Sequence, residues 1–295
     1  GALISGAFVG DRTSPFSSAH QLLSHTVEIP GRKQLRAMSI TTIMAIFIGI
    51  GYYGLLDYQK EIKAEYFIEF SWNELSIIQF LPPLILIAVV MMQKGIIYAF
   101  LASILTAGII ALVQGGNVSE LFSVLVLGVD DMGGGLINMY LLLLFLALAG
   151  AYNGLLEEYQ IIQPILDGWL EKSKTLVEDS LKTISATLGI SLISANQTLP
   201  IILTGRTFIP HWSKKQSKHE LARVMADSTM VFPGMIPWSV LAIMCSTIVG
   251  VPIISYLPYA IFLWILPLLT ILVSAVKQLQ QVKNESIKKN KTNIS

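Results

Sequence analysis

Two carboxylates in this sequence stand where carboxylates are expensive. Asp227 lies in the run Met225 to Trp238, which is apolar enough for membrane depth yet also carries Ser228, Thr229, Pro233, Gly234 and Pro237. A carboxylate in hydrocarbon costs roughly 2.5–3.5 kcal/mol on insertion scales, so such a residue marks a functional site by default. The prolines and the glycine interrupt any helix through this point. The backbone groups they free are tolerated at membrane depth only inside protein or along a cavity. An acid beside unwound carbonyls and hydroxyls is the hard-oxygen set that a small cation takes. Asp11 repeats the pattern: Gly10-Asp11-Arg12-Thr13-Ser14-Pro15 also sets small-Asp-x-Thr after an apolar run, with a proline behind it. Paired interrupted segments are the best pointer in a sequence to a transporter's binding site.

The sharp expectation is that Asp11 and Asp227 face each other across a repeat axis. A carboxylate out of water holds its proton more tightly unless a charge compensates. A small cation and a proton then compete for one group, and competition is sufficient for exchange if the site can face either side. Thr13, Ser14, Ser228 and Thr229 are expected as neutral oxygen ligands, joined by the polar tip Asn196, Gln197 and Thr198. Each residue also has a plainer reading. Asp227 would cap a broken helix or pair with a basic side chain, and Asp11 would be neutralised by the adjacent Arg12. Asn196 and Thr198 would hydrogen-bond between helices. Arg206 is read as a cytoplasmic anchor, with a salt-bridge gate as the alternative. The Asp130-Asp131 pair before Gly133 to Gly135 reads as a solvated loop rather than a cation funnel.

Composition demands a membrane. Of 295 residues, 53% are hydrophobic and only 13% charged, which describes a polytopic membrane protein rather than a soluble core. The single cysteine, Cys245, sits in an apolar span and can form no internal disulfide. Its four histidines show no zinc spacing on one helix face. No nucleic-acid partner and no cofactor are expected. The chain reads as the C-terminal part of a longer protein.

In order, residues 1–56 read as a broken helix ending at Pro30-Gly31 and a span from Ile40 to Leu56. Residues 57–153 hold an acidic stretch and spans at Ser76–Met92, bent at Pro82-Pro83, Gly95–Val113 and Leu136–Tyr152, each long enough to cross a bilayer. Residues 154–182 alternate charged and apolar side chains, as an amphipathic helix in the interface does. Residues 183–276 hold a re-entrant hairpin over Thr183–Phe208, the Asp227 break and a last span from Leu257. Residues 277–295 form a polar cytoplasmic tail. Charge placement selects the hairpin over a crossing segment. With the Arg32–Arg36 loop inside, only a hairpin keeps Lys214, Lys215, Lys218 and the tail lysines inside as well. The Asp11 and Asp227 segments then run antiparallel, as inverted repeats require.

Several stretches carry a family likeness. Gly10 to Ser17 resembles the Gly-Asp-Lys-x-Ser-Pro-Leu-Ser signature of the NhaC family of sodium/proton antiporters. Ile201-Ile202-Leu203-Thr204-Gly205-Arg206-Thr207-Phe208 resembles that family's Ile-Ile-Leu-x-Gly-Arg-Met-Phe stretch. Ala226-Asp227-Ser228-Thr229 followed by Ile236-Pro237-Trp238 resembles its Glu-Asp-Ser-Gly and Ile-Pro-Trp-Asn blocks. Tyr256 to Ala260, with Trp264 and Pro267, fits its last helix. The chain departs where Ala195-Asn196-Gln197 replaces Gly-Asp-Gln, Ala226 replaces Glu, Ser17-Ser18-Ala19-His20 replaces Ser-Asp-Thr-Thr, and Ser239 replaces Asn.

The resemblance implies an all-α polytopic membrane protein of the ion transporter superfamily. Its features are inverted repeats with broken helices and a re-entrant hairpin, a mobile transport domain and a dimeric scaffold, here N-terminally truncated. It implies secondary active Na+/H+ exchange across the cell membrane by alternating access. The alternatives are a Na+-coupled organic acid exchanger of malate/lactate type and an uncoupled member of the same fold. The expected partners are the lipid bilayer, small cations or an organic acid, and a second copy in a homodimer. An enzyme is not expected. The intramembrane protease signature Gly-x-Gly-Asp lacks its first glycine in Phe8-Val9-Gly10-Asp11, and zinc-protease and serine-elbow motifs are absent.

Overall fold

The structure, a computed structural model, describes residues 1–14, 16–59, 77–92, 95–129, 134–171 and 173–292. Pro15, Lys94, the Asp130-Asp131 pair and most of the acidic 57–74 stretch lie outside the described residues. Among the described residues the regular structure is helical. In chain order the helices are α1 (Ala2–Thr13), α2 (Ser18–Val27), α3 (Gly31–Gln59), α4 (Leu81–Met91), α5 (Ile96–Val113), α6 (Val118–Leu127) and α7 (Tyr140–Glu158). They continue with α8 (Gln163–Leu166), α9 (Leu176–Ser194), α10 (Thr198–Lys215), α11 (Lys218–Ala226), α12 (Val240–Val249), α13 (Ile253–Tyr256) and α14 (Ile261–Thr292).

Among the described residues three helical stretches are long and apolar enough to cross a membrane: Gly31–Tyr58, Tyr140–Glu158 and Ile261–Asn284. A fourth is formed if Val240–Val249 and Ile253–Tyr259, bent by 84° at a short break, count as one span. Large apolar side chains such as Phe47, Ile50, Leu141 and Leu268 are exposed along these helices. A run of exposed aliphatic and aromatic residues on long helices is the surface that lipid covers. The chain is a helical, polytopic membrane protein.

The chain forms two compact units, Gly1–Lys60 with Leu146–Ser295, and Glu61–Phe145. In the smaller unit α4 packs on α5, and Ser103 donates to the carbonyl of Pro82 at 3.0 Å. Pro82 and Pro83 do not bend a span there. They occupy the first turn of α4, where a missing N–H costs nothing, and a 3-10 turn over Ile77–Phe80 leads in.

The larger unit carries both interrupted segments and the hairpin. α1 stops at Thr13 and α2 starts at Ser18, with Ser17 as N-cap accepting from the His20 amide at 3.2 Å. α9 and α10 pack against each other and join through Ala195 to Gln197, with Ala195 at φ 53. α9 and α10 therefore form a helical hairpin, with arms of 19 and 18 residues rather than the expected length of about 12. Their outer turns are polar and reach Glu178 and Lys215. The segment 154–182 is not one amphipathic helix. α7 ends at Glu158, Gln160 takes a positive φ of 49, and only the four-residue α8 follows before α9. Gln163-Pro164 and Gly168 break the periodicity that the charge alternation suggested. The last helix likewise runs on to Thr292, so the polar tail is largely its continuation.

α10 lies against α2 at Gly205. A Cβ there would fall 2.3 Å from Thr26 Cγ2. Gly205→Ala is expected to cost about 1–3 kcal/mol through overpacking, read as a lower melting temperature of the detergent-purified protein. Unchanged melting would mean that the two helices do not approach as described.

Candidate functional site

The hairpin tip is pinned onto the second interrupted segment. Val240 N donates to Ala195 O at 2.8 Å, and Trp238 Nε1 donates to Leu192 O at 2.9 Å. Gln197 does more. Its Nε2 donates to Met230 O at 2.9 Å and to Asp11 Oδ2 at 3.1 Å. One side-chain amide thus ties the tip to the unwound backbone after α11 and to the carboxylate near the end of α1. Asn196 Oδ1 accepts from Leu199 N at 3.1 Å and closes the first turn of α10. Asn196, Gln197 and the exposed Thr198 also line a pocket shared with Gly150 of α7 and Leu241 and Met244 of α12.

Asp11 is half-buried, and Ser17 Oγ donates to its Oδ1 at 2.7 Å. Both of these donors, Ser17 and Gln197, are neutral. Asp227 has the opposite surroundings. It is fully buried and forms an ion pair through Oδ1 with Arg12, itself 1% exposed. Thr41 Oγ1 of α3 donates to the same oxygen at 3.0 Å, and Arg12 Nη2 lies 3.4 Å from Thr41 Oγ1.

The two carboxylates therefore do not meet as the sequence suggested, and they share no hydrogen-bond partner among the described residues. The reason is helical geometry. Consecutive side chains on a helix diverge by about 100°. When Arg12 turns inward to α3 and α11, Asp11 must turn elsewhere, and it meets the hairpin tip. Asp11 is not neutralised by its neighbour, because that guanidinium is spent on Asp227.

Several expected hydroxyl ligands are engaged with their own helices. Thr13 Oγ1 donates to Val9 O, Ser228 Oγ to Val224 O and Thr229 Oγ1 to Met225 O, each at 2.7 Å. Such bonds one turn back ease the bending of a helix near its end. Ser14 Oγ accepts from Phe16 N at 3.2 Å. Arg206 pairs with Glu157 at 3.2 Å, but both side chains are exposed, 67% and 42%. Pairs of that kind contribute at most about 1 kcal/mol.

Sequence reasoning missed the polar network beyond Asp227. Arg223, fully buried on α11, donates through Nη1 to Thr270 O at 2.9 Å and also meets the Thr270 hydroxyl. Its Nη2 donates to Ser274 Oγ and to Glu220 Oε2, both at 2.8 Å. Glu220 in turn pairs with Lys277, and Ser274 Oγ lies 2.8 Å from Ser180 Oγ of α9. The available signal was the i, i+4 spacing of Thr270 and Ser274 on α14, one turn apart on one face. A second buried acid, Asp179 at the start of α9, accepts from Ser173 Oγ and contacts His211 Nε2, each at 2.6 Å.

A buried carboxylate held by a guanidinium thus lies beside an unwound backbone clamped by a hairpin tip, and an ionisable group so placed marks a functional site. Residues 6–277 match the Na+/H+ antiporter family. The chain is 26% identical over 301 residues to the Na(+)/H(+) antiporter NhaC of Bacillus subtilis, covering 94% of this chain and 66% of that protein. It is 27% identical to the Na(+)/H(+) antiporter NhaC of Alkalihalophilus pseudofirmus, covering 92% of this chain and 63% of that protein. The Malate-2H(+)/Na(+)-lactate antiporter of Bacillus subtilis is 24% identical, over 90% of this chain and 60% of that protein. The chain thus spans about two-thirds or less of the length of these relatives. No solved structure matches. With the family match running through both interrupted segments and the hairpin between them, the chain belongs to the Na+/H+ antiporter family.

Proposed function

We propose that the protein exchanges Na+ for H+ across the cell membrane, with the exchange centred where the hairpin tip joins the two interrupted segments. The observation that carries this reading is the double hydrogen bond of Gln197 to Asp11 and to the Met230 carbonyl. It places a reachable carboxylate, a neutral amide and unwound backbone at one point, one residue from the buried Arg12–Asp227 pair. Asp11 is half-buried with the neutral donors Ser17 and Gln197, the latter lining the pocket, and Asp227 is the fully buried charge paired with the next residue. Alternating access follows if the α9–α10 hairpin and the two breaks move as one body between the membrane faces. A homodimer, and a cytoplasmic orientation of the lysine-rich end of α14, complete this reading.

A second reading is an exchanger of organic acids on the same fold, favoured by the 24% match to the malate/lactate antiporter. Both are tested in everted vesicles carrying a proton gradient reported by a quenched dye. Na+ or Li+ is expected to restore fluorescence, and K+ is not. Gln197→Ala is expected to lower the Na+ response about tenfold or more, as removal of a group that orients a charged ligand does. If malate or lactate moves protons and Na+ alone does not, the organic acid reading replaces the first. If no solute moves protons, neither stands.

A further inference from the structure

We infer that Arg12 is a built-in competitor of the transported cation: its guanidinium occupies Asp227 when no Na+ does, and Na+ binds Asp227 by displacing it. This rests on the exchange site proposed above and says how that site is regulated from within the chain. The argument starts from what a purely structural ion pair needs. Burying two charges is repaid only when the remaining lone pairs and protons are also hydrogen-bonded. Here they are not. Arg12 is 1% and Asp227 0% exposed, yet Arg12 Nε, Arg12 Nη1 and Asp227 Oδ2 find no partner among the described residues. One carboxylate oxygen carries the whole pair, shared with Thr41; the other makes no hydrogen bond of ordinary geometry among the described residues, and the Thr270 hydroxyl of α14 is the side chain that acts on the carboxylate from the opposite side.

The surroundings also show why the guanidinium must stand aside for a cation. Arg223, whose charge acts on Asp227 through space, already lies on the same helix and is matched by Glu220. Adding Na+ to Asp227 with Arg12 in place would bury a further uncompensated positive charge. The site can hold Arg12 or Na+ on Asp227, and not both. Arginine cannot lose its proton in a protein, so it leaves by moving rather than by neutralising. Arg12 lies in the last turn of α1, immediately before the break, where the helix has a free end to give. A ligand that binds only the unlocked fraction shows a weaker apparent affinity by that fraction.

The test uses the intact purified protein in detergent. Melting temperature is measured against NaCl, with choline chloride holding ionic strength constant. The wild type is expected to show a Na+-dependent rise. In Arg12→Gln the Na+ concentration at half-effect is expected to fall about tenfold or more, since the competitor is gone. The double variant Arg12→Gln/Asp227→Asn is expected to lose the Na+ response. Arg12→Lys retains a charge but not the planar fork, pairs less well, and is expected to fall about threefold or more. It keeps the question open to test should Arg12→Gln fail to fold. An unchanged half-effect concentration in either folded single variant overturns the inference, and so does a Na+ response that survives in the double variant. The readout is independent of proton coupling. Na+-driven proton movement in wild type together with unmoved half-effect values refutes this inference alone. Shifted values without any proton movement refute the antiport reading alone.

Discussion

Asp227→Asn is expected to abolish Na+-driven proton movement and to destabilise the protein by about 3–5 kcal/mol, the cost of leaving one member of a buried pair without its partner. The orphan in this case is Arg12, enclosed between α1, α3 and α11 and unable to shed its charge. Its only recourse is to move the end of α1 toward water. Melting of the purified variant measures the stability term, and vesicle dequenching measures the transport term. Added Na+ should not rescue the variant, because the carboxylate that would take Na+ in place of Arg12 is gone. Substituting both members, Arg12→Gln with Asp227→Asn, is expected to recover most of the stability and none of the transport. That non-additivity is the signature of two groups in direct contact. A variant Asp227→Asn with wild-type melting would show that the pair does not form.

The second large effect concerns Arg223. This side chain is fully buried and reaches Thr270 and Ser274 on α14 as well as Glu220 one turn back on its own helix. Arg223→Ala removes a charge-assisted cluster and leaves a space the length of the side chain. About 3–5 kcal/mol is expected, as for other broken buried ionic networks. Glu220 keeps Lys277, so its own charge is not stranded. The loss therefore falls on the contact between α11 and α14. Its consequence for function is positional. α11 ends at Ala226, and Asp227 is the next residue, so loosening α11 against α14 displaces the carboxylate. In vesicles a reduced maximal rate is expected alongside the lower melting temperature. An unchanged melting temperature would contradict the network. Thr270→Val is the milder companion, because the Thr270 carbonyl still accepts from Arg223.

Much of this architecture is legible in the sequence because its signals are local. The helical, membrane-spanning class follows from long apolar runs, and the interruptions at Asp11 and Asp227 follow from proline, glycine and hydroxyl residues that no continuous helix accommodates. The hairpin follows from a polar waist and the placement of lysines, and Asn196 and Gln197 are found at its turn. Where the sequence misled, the reason is equally physical. Alternating charge over 154–182 is compatible with a helix, but Pro164 and Gly168 sit in it, and the backbone obeys them. Pro82-Pro83 reads as a bend until it is seen to start α4 rather than interrupt it.

What only the tertiary structure decided is the pairing of charges. Sequence places Arg12 next to Asp11 and makes that pair the natural one. The fold instead sends the two side chains in different directions around α1, gives Arg12 to Asp227 and gives Asp11 to Gln197. No local rule contains that choice, since the partner is 215 residues away and is fixed by how α1, α3 and α11 pack. The same holds for Arg223, whose partners on α14 lie 47 and 51 residues along the chain. Composition and periodicity determine which residues must be buried and where helices break. Which buried charge neutralises which is settled by packing, because in a low-dielectric interior each charge must find its counterpart wherever the fold brings one within reach.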